Sequence, residues 1–202
     1  MKRTRAFAAA ISAVAAIALA GCGNGQETGS TPPEAPASQE QAASNAADVT
    51  FAQGMIPHHQ QAVEMSRLAP ERAQSQQVKD LAKQIEAAQG PEIETLTGWL
   101  RDWGAAPAPS TDHSSMGHGD MGHGGMGGMM TADEMEQLEQ ARGAEFDRMF
   151  LDLMIKHHEG AVTMARTELS EGQFPAAKQM AQQIIDTQQA EIDAMRGLLA
   201  QS

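Results

Sequence analysis

Two stretches of the chain carry side chains of types that can bind soft metal ions. Met55, His58, His59 and Met65 stand in MIPHHQQAVEM; Met154, His157, His158 and Met164 stand in MIKHHEGAVTM, 99 residues further on. Thioether sulfur with neutral imidazole favours Cu(I), and imidazole alone also suits Cu(II). Zinc could use the histidines but would leave the methionines without a role. The Glu-x-x-His pattern of carboxylate-bridged di-iron bundles is absent, because Met55 and Met154 stand three residues before His58 and His157. Methionine at this spacing also fills cores, and one histidine of a pair commonly faces water. Repetition favours the metal, since several imidazoles buried without partners would be costly. Which histidine of each pair turns inward is left open.

A second group lies in TDHSSMGHGDMGHGGMGGMM, residues 111–130, which holds His113, Met116, His118, Met121, His123, Met126, Met129 and Met130. Glycine at this density precludes a stable helix and predicts a mobile loop, spanning about residues 105–130. Interleaved Met and His on such a backbone can wrap a soft cation with little geometric demand, as a weaker site and first collector. Glu92 and Glu191, each in Gln-x-x-Glu-Ile, could orient a histidine by hydrogen bonding from behind.

These residues recur because the polypeptide itself recurs. Aligned at an offset of 99 without gaps, residues 48–100 and 147–199 share about 20 identities in 53 positions. Asp48, Phe51, Met55, His58, Ala62 and Met65 alternate by three and four, the stripe of one helix face, and the copy repeats it from Asp147 to Met164. The partner helices carry Val78, Leu81, Ile85, Ile93, Leu96 and Leu100, then Ala177, Met180, Ile184, Ile192, Met195 and Leu199. Strand signals are nearly absent, with no tyrosine and no period-two run. The fold class is all-α: two duplicated helical hairpins bury their apolar faces against each other as a four-helix bundle, with a pseudo-two-fold axis between the halves. Thr131 and Glu134 form a capping box that starts a third helix of about 35 residues. Pro57 falls within the first helical pattern, as a kink in a long helix rather than the start of a short one.

The N-terminus addresses the chain outward. Lys2, Arg3 and Arg5 precede an apolar run from Phe7 to Ala20, too short to span a membrane comfortably. Leu19-Ala20-Gly21-Cys22 resembles a bacterial lipoprotein box, which implies removal of residues 1–21 and acylation of Cys22, the only cysteine. The expected location is extracytoplasmic, lipid-anchored at the outer face of the cytoplasmic membrane or periplasmic. Residues 22–47 read as a flexible tether, and residues 48–202 as the bundle. Loss of the leader moves the formal charge from −12 to −15, because it carries three basic and no acidic groups. That surface disfavours nucleic acid as a partner.

DVTFAQGMIPHHQQAVEM, FLDLMIKHHEGAVTMA and the paired Gln-x-x-Glu-Ile segments together resemble domain-of-unknown-function family 305 over about residues 48–200. The resemblance implies a ferritin-like bundle in a bacterial exported protein and, for the CopM-type members, extracytoplasmic copper binding and tolerance. Carried over by motif, the ligand positions are Met55, His58, His59, Met65, Met154, His157, His158 and Met164. The leading expectation is a copper-binding lipoprotein, not an enzyme, that sequesters copper or hands it on. A metal-dependent redox enzyme on the same bundle, or an envelope interaction module without metal, are the alternatives; the sequence shows no acid–base or nucleophile constellation for the former. A homo-oligomer is compatible with this reading, and no delivery partner is identifiable.

Overall fold

The computed structural model of the protein describes residues 43–106 and 127–201. The leader, Cys22 and most of the tether lie outside these residues, as do His113, Met116, His118, Met121, His123 and Met126. Five helices follow in order: α1 (Ala46–Arg72), α2 (Gln76–Asp102), α3 (Ala132–Gln140), α4 (Ala144–Glu171) and α5 (Pro175–Leu199). Among the described residues there is no strand, only an isolated bridge between Ala73 and Gly143. α1 packs on α2, α4 packs on α5, and the hairpins meet along α1 and α4. The result is a ferritin-like four-helix bundle, each long helix about 40 Å in length. No helix among the described residues is long and apolar enough to cross a membrane.

The helices begin and end for local reasons. Asn45 caps α1 by accepting from the backbone N–H groups of Ala47 and Asp48, while the Asp48 carboxylate accepts from Asn45 N–H, completing a capping box. Pro57 sits inside the continuous α1, as the repeat suggested. The Thr131–Glu134 capping box also forms and starts α3.

The single long third helix is not what forms. α3 ends after nine residues, and a break at Ala141–Gly143 separates it from α4. The Arg142 guanidinium donates to the carbonyls of Glu139, Gln140 and Ala141, satisfying the end of α3 with its own side chain. Gly143 then turns through φ 63°, and its N–H donates to the Arg72 carbonyl at 2.8 Å. The break therefore docks on the end of α1.

Two aspartates lock the hairpins together. Asp48, fully buried, accepts from the N–H groups of Gln173 and Phe174 at the α4–α5 turn. Its repeat partner Asp147 accepts from Gln74 and Ser75 at the α1–α2 turn. The start of each hairpin thus caps the turn of the other, which fixes α1 and α4 antiparallel and in register. Between these ends the core divides into two apolar clusters. One is built from Met65, Ile85, Phe146, Phe150 and Met154; the other contains Phe51, Met55, Leu96, Leu100 and Ile184. Each fully buried side chain of this kind contributes about 1.5–3 kcal/mol. What lies between the clusters is polar.

Candidate metal centre

His58 and His59 lie on α1 between Ile56 and Ala62, and His157 and His158 lie on α4 between Met154 and Ala161. All four imidazoles are fully buried. Both members of each pair therefore turn inward, a point the helical stripe alone could not decide. The rings of His58 and His157 meet across the α1–α4 seam, with centroids 3.7 Å apart and planes tilted by 42°. The outer histidines point the other way. His59 Nε2 lies 2.7 Å from Glu92 on α2, and His158 Nε2 lies 2.7 Å from Glu191 on α5. A carboxylate only accepts, so Nε2 is the donor in each pair. The Glu92 and Glu191 side chains are 24% and 14% exposed, so they are the layer's contact with solvent.

Gln89 and Gln188, one turn before these glutamates, complete the layer and are both buried. Six imidazole nitrogens have no hydrogen-bond partner: both nitrogens of His58 and of His157, and Nδ1 of His59 and of His158. The Gln89 amide and the Gln188 carbonyl oxygen are unpaired as well. Burial, reinforced by His59 and His158, holds His58 down at about 3, against an opposing pull from the Gly127 carbonyl. Burial, then His58 and the other two histidines, holds His157 well below the usual imidazole range. Both rings are neutral at ordinary pH and carry free lone pairs.

This donor set suits a soft or borderline cation, and in this geometry its central pair is closed. Two imidazoles that share an ion at about 2.0–2.1 Å have ring centres roughly 5–6 Å apart at tetrahedral to linear angles. At 3.7 Å the central pair is closed. Among the described residues no group of three or more His, Cys, Asp or Glu side chains is placed so that it could hold a metal ion.

The methionines bracket the layer. Met55 and Met154, one turn before each histidine pair, are fully buried; Met65 is buried one cluster further along, and Met164 is partly buried. Met129 is also partly buried, whereas Met130 is buried against the cluster that holds Met65. Sequence reasoning gave no role to Gln89, Gln188, Gln61 or Gly160. The first two had a signal, since both recur within Gln-x-x-Glu on a face that is otherwise apolar. Gln61 and Gly160 had none: they differ at one repeat position, but so do their neighbours Gln60 and Glu159.

A duplicated helical bundle with a buried, two-fold imidazole layer defines the class of protein. The chain belongs to the DUF305 family, a domain of unknown function, whose model matches residues 48–199. Solved structures agree. A DUF305 protein from Streptomyces coelicolor, described as secreted, is 35% identical with a TM-score of 0.68, covering 77% of this chain and 93% of that one. A DUF305 fragment from Deinococcus radiodurans is 31% identical with a TM-score of 0.67, over 79% and 99% of the two chains. CopM in its Cu(II)-bound form is 32% identical with a TM-score of 0.63, over 76% and 96%. No curated protein matches the chain.

Proposed function

We propose that the protein binds copper outside the cytoplasm and sequesters it or hands it on. His58, His59, His157 and His158 form the principal site, and Met55, Met65, Met154 and Met164 supply softer donors along the same stripes. The carrying observation is the set of six buried imidazole nitrogens without partners, arranged two-fold between apolar clusters. Such groups cost stability in a protein that never uses them. Support also comes from CopM, which is similar over most of the chain and is known in Cu(II)-, Cu(I)- and silver-bound forms. Cu(I) is the favoured ion, given the thioethers, and Cu(II) is compatible. Glu92 and Glu191 hold the outer rings so that Nδ1 faces the ion. Loading parts the central rings by roughly 2 Å, or turns one of them, to reach a normal coordination angle. The Met/His run at residues 113–130 acts as a weaker collector.

The protein is exported and anchored through acylated Cys22, a reading carried by the lipoprotein box. Cys22→Ser should move it from the membrane to the soluble fraction, and an unchanged distribution would reject the anchor. For copper, the test is an anaerobic Cu(I) titration against a chelator, using the mature protein, a variant lacking residues 107–126 and the fourfold His→Ala variant. Retention that survives loop removal and disappears with the histidines is expected. Copper retained by the fourfold variant with helices intact would place the site elsewhere.

A further inference from the structure

The four residues Gly127–Met130 do not hang free of the bundle. Their backbone lies across the α1–α4 seam, one turn beyond the central histidine pair. On α1, Gln61 grips Met130 twice: its Nε2 donates to the Met130 carbonyl at 3.0 Å, and its Oε1 accepts from the Met130 N–H at 2.7 Å. Gln61 is itself buried, so both bonds are shielded from water. On α4, the seat is Gly160. A Cβ there would overlap the Gly127 carbonyl oxygen and come within 2.9 Å of the Gly128 Cα. Gly128 lies as tightly over the helix, since its own Cβ would stand 2.7 Å from the Lys156 carbonyl, and its φ of +90° suits glycine alone.

The segment is also tied down at its far end. The Met130 side chain packs into an apolar cluster, Thr131 opens α3 at once, and Lys156 on α4 pairs with Glu134 at 2.9 Å. Gln61 and Gly160 are the same repeat position, three residues after His58 and His157 respectively. One half has a side chain that holds the backbone, and the other half has no side chain where the backbone must pass. The segment consequently lies one helical turn from the His58–His157 pair on both helices.

We infer that Gly127–Met130 is a fixed strap closing the histidine layer on its α1–α4 side, that Gln61 and Gly160 seat it, and that ions exchange with the layer when it lifts. The last part rests on the copper reading above; the first two do not.

Two variants separate these claims. Gly160→Ala forces the strap off by overlap, and Gln61→Met removes both grips at similar volume, which keeps the test usable if the first variant folds poorly. In metal-free protein, diethyl pyrocarbonate modification of His58 and His157, read by peptide mass spectrometry, should rise about tenfold or more in both variants while helical circular dichroism is unchanged. Equal rates in the parent and Gln61→Met, or parent rates matching urea-unfolded protein, would overturn the strap. In Cu(I)-loaded protein, release to excess chelator should quicken by a similar factor. Faster modification with unchanged release removes the exchange role. A parent that retains no copper sinks the copper reading, and the modification rates still decide the strap.

Discussion

The first hairpin has Gln61 and Ala69 where the second has Gly160 and Glu168, and both departures serve features that occur once in the bundle. Residues that match between the halves build what is symmetric: the histidine layer, its outer glutamates and the aspartate clamps. Residues that do not match build what exists once. Gln61 and Gly160 seat a single strap, and Glu168 loads only one of the two clamps. Duplication supplied the site, and divergence supplied its asymmetry.

The clamps give the largest test of this contrast. Asp48 accepts from Asn45, Gln173 and Phe174, whereas Asp147 accepts only from Gln74 and Ser75. Charged acceptors of backbone N–H groups are worth more than neutral ones, and their loss strands the donors. Asp48→Ala should therefore cost about 3–5 kcal/mol in urea unfolding, and Asp147→Ala about 2–3 kcal/mol. Equal losses would mean that the two turns are held by apolar packing instead.

A second contrast is in pH. Glu168 is 1% exposed, beside Asp48 and under Gly172, and its oxygens find no hydrogen bond of good geometry. Burial, with Asp48 close by, pushes its carboxyl up to about 8, only partly offset by Lys178. Burial also pushes Asp48 up, but the Asn45, Phe174 and Gln173 N–H groups and the neighbouring Glu168 bring it below the ordinary carboxylate range. At neutral pH the pair holds one proton, on Glu168. The folded state keeps that proton where the unfolded chain has lost it, so stability falls as pH rises from about 4.5 to about 8. Asp48 acts in the opposite sense, adding stability that is lost as pH falls below its unfolded value of 3.8. Glu168→Gln should flatten the neutral-to-alkaline slope. If urea midpoints of the parent and the variant fall alike between pH 6 and 9, Glu168 is not the source.

Much of the bundle was legible because its signals are periodic and local. The three-and-four stripe from Asp48 to Met65 gave α1 as one helix through Pro57, and its copy gave the matching face of α4. The break at Ala141–Gly143 was not legible: Arg142 satisfies the carbonyls of α3, and the Arg72 carbonyl that receives Gly143 lies far away in the chain. Asp48 was read as a stripe residue, yet its partners at Gln173 and Phe174 are 125 and 126 residues distant. The strap was hidden for a steric reason. Nothing in a glycine at position 160 announces that a backbone crosses there.

The smallest effect concerns residues on which the halves agree. Gln89 and Gln188 are each 2% exposed, and both amides have atoms without partners. A core designed only for stability would hold leucine here, since an unsatisfied buried amide costs more than an apolar group of similar size. The double variant Gln89→Leu, Gln188→Leu should unfold later than the metal-free parent, by about 1–2 kcal/mol, with Gln89, whose two amide atoms both lack partners, contributing the larger share. The same substitutions should weaken Cu(I) retention if the amides steady the rings once an ion has parted them. A more stable apo-protein with weaker retention marks the layer as a site kept at the expense of the core. A less stable one would mean that water already satisfies the amides, and the layer would then be ordinary hydrated structure.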